Sequence, residues 1–273
     1  MSKSGKSLVA GGQLSLPFWP EQMRGVPWAA VRSALFAPVK PGARGAMQRA
    51  EIAAVGDFRI IYTGIRLDQA DLDVYEQVLH VARATPLGEA VRFKTREMLR
   101  ALDRETGKSD REWLFRALSR LAACEIEITN GKVAYAGSLI QEQGRDEEAG
   151  THYIVLNPRL GALYSHGWAP VKWEERKALG GRQLAKWLHG FIAGGQNPVT
   201  FNIAALMRLA NSGYERARDF RQAMDEAGAA LRAIQVDVLL VWDLKRDQVT
   251  ITRAAWNRQG ATAIPHRGDS GRA

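Results

Sequence analysis

The sequence predicts an α+β protein in which two copies of one helix–helix–hairpin unit follow an irregular N-terminal segment. Three observations support this fold class. A ten-residue pattern that begins at Val91 recurs at Val199, an offset of 108 residues. Each copy is preceded by an amphipathic helix and followed by a second helix and a hairpin pattern. The first 56 residues contain five prolines scattered among glycines, and no long periodic stretch survives there.

The domain organisation follows from these patterns. Residues 1–56 are predicted to be a flexible arm, residues 57–158 and 159–253 two domains, and residues 254–273 a basic disordered tail.

In the first copy, residues 58–62 predict a strand and residues 68–85 an amphipathic helix. Residues 110–123 predict the next helix, with Leu114, Ala117, Leu118 and Leu121 facing inward. The hairpin is expected to join residues 125–129 to 132–138, because Asn130-Gly131 is a favoured pair for a two-residue turn.

The second copy repeats this order. Residues 181–193 and 214–233 predict helices, the latter with Ala217, Phe220, Met224, Ala227 and Leu231 on its inner face. A hairpin is expected to pair residues 236–242 with 248–252. A helix-turn-helix followed by a β-hairpin wing is the winged-helix order. The chain therefore predicts two tandem winged-helix domains.

Charge suggests the class of partner. The chain has 38 Lys+Arg and 29 Asp+Glu, a net charge of +9, which favours a polyanion. Residues 92–120 carry +4 and residues 172–221 carry +5, whereas residues 125–148 carry −4. The positive stretches coincide with the helix-turn-helix segments, so we expect a DNA-facing surface and an acidic reverse side.

The outward faces of the two third helices are the candidate recognition surfaces, because Arg, Lys, Ser and Gln contact phosphates and base edges. The alternative is that they are ordinary solvated helix faces. The candidate DNA-binding residues are Lys108, Arg111, Arg116, Ser119 and Arg120 in the first copy, and Tyr214, Arg218, Arg221 and Gln222 in the second, with Lys245 and Arg246 at the hairpin tip.

Several classes of protein are disfavoured. Cys124 is the single cysteine, which excludes an internal disulfide and zinc sites built from several cysteines. The five histidines lack metal-ligand spacing, which argues against a metal-dependent nicking enzyme. No apolar run approaches the ~20 residues of a membrane helix, and no signal peptide is evident. We expect a cytoplasmic protein without cofactor, enzymatic activity or membrane contact.

The N-terminal segment contains a string that resembles the clamp-binding peptide of bacterial replication proteins, Gln-Leu-x-Leu-x-Phe. A tethered peptide of this kind would place apolar anchors in a pocket of the sliding clamp. Packing of the same side chains on the body is the alternative. The matching residues are Gln13, Leu14, Leu16 and Phe18.

Residues 16–27 and 32–36 resemble the N-terminal segment of TrfA-type plasmid replication initiators, and residues 62–64, 77–79 and 85–89 continue the resemblance. It covers residues 13–253, and the short N-terminus resembles a truncated form of the family. The resemblance implies tandem winged-helix domains that bind directly repeated iterons in double-stranded origin DNA and help to open an AT-rich region.

The resemblance also implies partners. Such proteins recruit the host initiator, replicative helicase and sliding clamp, hydrolyse no nucleotide, and exchange between monomers and dimers. Their clamp contact through a Leu-Phe pair corresponds here to Leu35 and Phe36. A sequence-specific winged-helix transcriptional repressor is the alternative function.

Overall fold

The structure, a computed structural model, describes residues 15–39, 44–131, 134–164, 167–194 and 197–253. These residues form a mixed α/β protein. Its strands are β1 (Met23–Pro27), β2 (Phe36–Ala37), β3 (Ala46–Ile52), β4 (Arg59–Ile65), β5 (Leu67–Asp68), β6 (Ala90–Lys94), β7 (Glu125–Thr129), β8 (Ala134–Gly137), β9 (Glu142–Asp146), β10 (Thr151–Val155), β11 (Trp168–Lys172), β12 (Val199–Asn202), β13 (Val238–Asp243) and β14 (Gln248–Arg253). Its helices are α1 (Trp28–Val31), α2 (Gln69–Ala82), α3 (Thr95–Ala101), α4 (Lys108–Ala122), α5 (Gly161–Tyr164), α6 (Trp173–Ala178), α7 (Gln183–Ala193), α8 (Ile203–Ala210) and α9 (Ala217–Ala233), with a 3₁₀ turn at Pro158–Leu160.

The N-terminal segment is folded where the structure describes it, so the prediction of an irregular arm is wrong for residues 15–39 and 44–56. Strand β1 pairs antiparallel with β11, and β3 pairs antiparallel with β4. Trp19 and Phe36 are buried in the core. Pro27 is the last residue of β1 and the N-cap of α1, a position where a fixed φ and a missing N–H are tolerated. This proline therefore marks the end of a strand, and the partner of β1 lies too far along the chain for a local pattern to reveal it.

The internal repeat is confirmed as one strand and two helices in each copy: β6, α3 and α4 in the first, and β12, α8 and α9 in the second. In β6, Val91 and Phe93 are buried and alternate with exposed neighbours, as in a half-buried strand. Helix α8 begins where the Asn202 side chain accepts a hydrogen bond from the Ala205 N–H, and it ends at Asn211 in the left-handed conformation.

The hairpin that completes the first copy is not the predicted one. Both copies have the same three-stranded sheet, β6-β10-β9 in the first and β12-β14-β13 in the second. The hairpin that completes the first copy is therefore β9–β10, and we call the two hairpins, β9–β10 and β13–β14, the first and the second wing. The predicted hairpin, β7–β8, joins β3 and β4 in a separate four-stranded sheet. Its register pairs Thr129 with Ala134, whereas a two-residue turn at Asn130-Gly131 would pair Thr129 with residue 132.

The error has a physical reason. Asn-Gly indicates that two strands turn back on each other, and β7 and β8 do so. Which hairpin belongs to β6 depends on long-range pairing, such as that of Ile154 with Val91. The second hairpin is confirmed with slightly shifted ends, because β13 pairs with β14 from Val238–Arg253 to Asp243–Gln248.

The helices that precede the two copies are confirmed as α2 and α7. Asp68 caps α2 in a capping box with Asp71, which places the start of this helix near the predicted residue. One apolar cluster contains buried residues between Leu16 and Val171, and a second contains those between Leu179 and Ile251. The limits of the domains remain predictions, and residues 1–14 and 254–273 lie outside the described part of the chain.

Candidate nucleic-acid interface

Helix α4 buries the predicted stripe, Leu114, Ala117, Leu118 and Leu121. On its other side, Lys108 and Arg111 are exposed near its N-terminus. Arg116 is 61% exposed and lies 3.8 Å from Glu112. An exposed ion pair of this length is weak, so the guanidinium can exchange its partner for a phosphate or a base. These three cations form the accessible part of the predicted face.

Two residues predicted to bind DNA from α4 have partners within the protein. The Arg120 guanidinium donates to Asp71 in α2, with Nη2 2.7 Å from Oδ1, and the Asp71 side chain is fully buried. The Ser119 hydroxyl accepts a hydrogen bond from Gln143 Nε2 at 3.1 Å. The structure therefore places Arg120 in the packing of α4 against α2 and Ser119 in the packing of α4 against the wing.

A cleft of about 770 Å³ lies between α4, the start of α3 and the β9–β10 wing. Sequence analysis did not select Lys94, Arg96 and Arg145, which line this cleft beside Lys108 and Arg111. The positive count over residues 92–120 already included Lys94 and Arg96, but only the fold brings them to α4.

The end of the acidic stretch lies at this cleft, so the expectation of an acidic reverse side is wrong for residues 146–148. Asp146, Glu147 and Glu148 line the cleft together with Lys108 and Arg111. His152 also lines it, with its ring stacked on Phe93 at a centroid distance of 5.6 Å. Burial lowers the pKa of His152, and Arg145 lowers it further, so this ring adds no positive charge near neutral pH. The cleft has mixed charge.

In the second copy, α9 buries Phe220, Met224, Ala227 and Leu231 as predicted. The helix begins at Ala217, which is exposed and not part of the inner face. The candidate residues Arg218 and Gln222 are exposed, and Gln222 donates to Glu226 at 3.1 Å.

The other two candidates near α9 are partly buried. Tyr214 packs edge-on against Phe220 with a centroid distance of 6.3 Å. The Arg221 Nε atom is buried and has no hydrogen-bond partner within the described residues. Accessible recognition groups on α9 are therefore Arg218 and Gln222.

The tip of the second wing carries Lys245 and Arg246 as predicted, and both are exposed. The Asp243 carboxylate accepts the backbone N–H groups of both residues at 3.1 Å. Arg246 is 78% exposed, and its Nε lies 3.8 Å from Asp243. The turn is thereby held while both cationic groups remain accessible.

The candidate clamp-binding residues differ in their exposure to solvent. Leu16, Leu35 and Phe36 are buried in the first apolar cluster, whereas Phe18 is 86% exposed. Gln13 and Leu14 lie outside the described residues. Phe18 is thus the one described member of this set that is available to a partner in the present conformation.

A buried charge cluster holds α6 and α7, which precede the second copy, against α2. The Arg176 side chain lies 2.7 Å from Asp73 and 3.0 Å from Glu76, and Lys186 lies 2.6 Å from Asp73. Burial raises the pKa of Glu76 to about 7, although Arg176 acts in the opposite direction. These ion pairs fix α6 and α7 relative to α2, and hence the orientation of the two candidate recognition helices.

Within the described residues, no group of three or more His, Cys, Asp or Glu side chains is arranged to hold a metal ion. No helix there has both the length and the apolar character that crossing a membrane requires.

A sequence model of the TrfA protein family matches residues 3–245. The chain belongs to the TrfA protein family. This confirms the resemblance that the sequence analysis identified over residues 13–253. A curated relative of this TrfA-family chain is the plasmid replication initiator protein TrfA of Escherichia coli, 26% identical over 224 residues. The alignment covers 78% of this chain and 58% of the relative, so the chain spans less than two thirds of the relative's length.

Two solved structures are similar to this chain to different degrees. The crystal structure of domains 2 and 3 of RctB has a TM-score of 0.55 at 12% identity, and the match covers 83% of this chain and 98% of that one. The Pi initiator protein in complex with iteron DNA has a TM-score of 0.49 at 10% identity, with 69% of this chain and 94% of that one covered. The RctB likeness shows that the mixed α/β arrangement of this TrfA-family chain occurs in another protein of very different sequence.

Proposed function

We propose that this chain is a plasmid replication initiator that binds directly repeated iterons in double-stranded origin DNA through two tandem winged-helix units. It promotes opening of the adjacent duplex and recruits the host sliding clamp, initiator and replicative helicase in the bacterial cytoplasm. Exchange between monomers and dimers regulates the active form.

The observation that carries this proposal is the duplicated arrangement of helix and hairpin. Each copy has a short strand, two helices and a hairpin. The second strand of the hairpin pairs with the short strand, β10 with β6 and β14 with β12. Each second helix turns cationic groups outward, Arg116 from α4 and Arg218 from α9. A helix of this kind enters the major groove of DNA with its exposed side chains against the bases and phosphates. Two such units in one chain suit a bipartite or extended DNA site.

The relative supports the specific role. The E. coli protein similar to this chain is named a plasmid replication initiator. We expect the origin to contain direct repeats. If both units of one chain occupy one repeat, successive chains on successive repeats form a regular array.

Footprinting on the DNA that flanks the coding region tests this function. The wild-type chain is expected to protect short direct repeats at a regular spacing. The double variant R116A/R218A should lose this protection. R59A is the matched control, because Arg59 is also 61% exposed and also pairs weakly with a glutamate, Glu51 at 3.6 Å, but lies in the four-stranded sheet. Protection without repeats would contradict iteron binding and favour the repressor.

Clamp recruitment through Phe18 is the second part of the proposal. The Phe18 side chain is 86% exposed, and the next residue, Trp19, is buried. Phe18 is therefore an exposed aromatic side chain whose backbone position is fixed by the core. Exposed aromatic anchors that enter a partner's pocket commonly dominate an interface. The Leu35-Phe36 pair serves this contact only if its segment leaves the core.

A pull-down with purified bacterial sliding clamp tests this contact. The variant F18A should retain much less clamp than wild type. Adding Gln13→Ala and Leu14→Ala to F18A should reduce clamp retention further. L239A is the control, because Leu239 is an exposed apolar residue in another sheet. Equal retention by all variants would contradict recruitment through this peptide and leave the repressor as the better function.

A further inference from the structure

The two wings differ at their tips. Strands β9 and β10 are joined by Glu147, Glu148, Ala149 and Gly150, and strands β13 and β14 by Leu244, Lys245, Arg246 and Asp247. The first tip is acidic and has no large apolar side chain. The second has two cations next to a leucine that is 61% exposed.

The tip of the second wing is held in place from both sides. Asp243 accepts the backbone N–H groups of Lys245 and Arg246. On the other side, the Asp247 carbonyl accepts the Ile203 N–H at 3.0 Å, and its carboxylate accepts from Asn202 at 2.8 Å. Asp247 has a positive φ of 53°, a conformation that Asp adopts more readily than most residues. Leu244 is thus displayed from a tip anchored at the start of α8.

An exposed apolar side chain on a pinned, cationic tip matches one mode of DNA contact. Proteins that bind the minor groove insert apolar side chains between base pairs, which partly unstacks the step and kinks the duplex. Neighbouring lysines and arginines neutralise the phosphates on both sides of the step. Leu244 supplies the wedge, and Lys245 and Arg246 supply the charge.

We propose that Leu244 inserts into the minor groove of duplex DNA and unstacks a base step, while Lys245 and Arg246 hold the flanking phosphates. The inference rests on the proposed DNA-binding function and assigns the distortion of the duplex to one residue. A·T-rich DNA is the expected substrate, because its TA steps unstack at the lowest cost. The first wing lacks this capacity, since Glu147 and Glu148 repel phosphate, and the distortion is confined to the side of the second copy.

The chain offers matched controls. Leu239 is 58% exposed on β13 of the same hairpin, but it lies along the strand, not at the tip. Leu244→Asn keeps a similar size and removes the apolar character, whereas Leu244→Met keeps the apolar character. Because Leu244 lies outside both apolar clusters, these changes are expected to leave the fold intact.

The experiment uses a supercoiled plasmid that carries the DNA flanking the coding region. Permanganate oxidises unstacked thymines, and DNase footprinting on the same samples reports binding. Wild type and L239A are expected to give reactive thymines at the edge of the footprint. L244N should keep the footprint, with affinity reduced by no more than about tenfold, and lose most of the reactivity, whereas L244M should retain it.

Each result decides between the two proposals. A footprint with full reactivity for L244N, or a wild-type footprint without reactive thymines, overturns the wedge and leaves DNA binding intact. Equal loss of reactivity in L239A and L244N also overturns the wedge, because the distortion would then depend on exposed apolar residues along the whole hairpin and not on its tip. Absence of a footprint for the wild-type chain overturns the proposed function itself.

Discussion

Arg176 Nε lies 3.0 Å from Glu76 Oε2, and both side chains are fully buried. Arg176 also donates to Asp73 at 2.7 Å and to the backbone carbonyl of Gln69 at 3.2 Å. Glu76, Asp73 and Gln69 lie on α2, whereas Arg176 lies on α6. A buried ion pair needs such additional hydrogen bonds to offset the loss of hydration. The pair therefore joins the first part of the chain to the second through one well-defined geometry.

The pKa of Glu76 predicts a pH-dependent stability. Its folded pKa of about 7 lies above the ordinary value of 4.5. The folded protein then binds this proton more tightly than the unfolded chain, so the contribution of Glu76 to stability is full below about pH 4.5 and falls as pH rises to 7. Because E76Q cannot titrate, the stability advantage of wild type over E76Q should shrink by up to about 3 kcal/mol between pH 4.5 and 7.5.

Urea unfolding of both proteins across this pH range measures the difference directly, and the comparison cancels the titration of His80 and His189, whose pKa values burial lowers. E175Q is an informative control. His189 and Lys172 outweigh burial and hold the pKa of Glu175 at about 2, so the stability that Glu175 contributes should be lost as pH falls below about 4.5, the opposite direction to Glu76. A constant difference between wild type and E76Q would contradict the shifted pKa.

Arg116 and Arg120 should separate DNA binding from stability. R116A is expected to lower specific DNA affinity by ~1–3 kcal/mol if the side chain contacts a base, with the free energy of unfolding nearly unchanged. R120A removes the bidentate partner of buried Asp71 and should lower the free energy of unfolding by about 1–3 kcal/mol. Fluorescence anisotropy with a labelled duplex and urea titrations check the two effects, and the reverse assignment would show that the wrong arginine faces DNA.

Lys245 and Arg246 should contribute affinity without sequence preference. K245A and R246A are each expected to weaken specific and random duplexes alike, and to reduce the slope of log K against log salt by about 1, because each cation releases counterions from one phosphate. Binding isotherms at several salt concentrations measure this. A loss confined to the specific sequence would instead indicate contact with a base.

The acidic tip of the first wing should oppose DNA binding. The double variant E147Q/E148Q removes two negative charges that line the cleft beside Lys108 and Arg111. Affinity for any duplex should rise severalfold at low salt and approach the wild-type value at high salt, because salt screens such repulsion. E125Q is the control, because Glu125 is an exposed residue of β7 in another sheet. Tighter binding by E125Q to the same extent would point to net charge and not to the wing.

Phe18 and Phe36 should differ sharply in stability. Phe36 is fully buried and stacks on Tyr75 at a centroid distance of 6.0 Å, so F36A should lower the free energy of unfolding by about 3–5 kcal/mol. F18A should leave it within about 0.5 kcal/mol, as for most exposed substitutions. Thermal unfolding checks both. A large effect of F18A would mean that Phe18 packs on the body, which was the alternative to clamp binding.

The repeat shows what local patterns can predict. The spacing of Leu114 and Leu118, and of Phe220 and Met224, identified both second helices and their inner faces, because a helix buries every third or fourth residue whatever its surroundings. Taking the residues opposite this apolar stripe as DNA-binding was less successful. Arg116 and Arg120 lie one turn apart on one helix, yet only Arg120 meets a buried aspartate contributed by α2.

Local sequence patterns predicted the duplicated helices, the second hairpin, the basic wing tip and the family resemblance, since each depends on residues close together in the chain. Only the folded chain shows which hairpin serves the first copy, the burial of Trp19, Leu35 and Phe36, and the position of three acidic residues beside α4. Those features depend on pairing between distant segments, such as β1 with β11 and β6 with β10. Such pairings are chosen by the total burial and hydrogen bonding of the folded chain, which no local window of sequence contains.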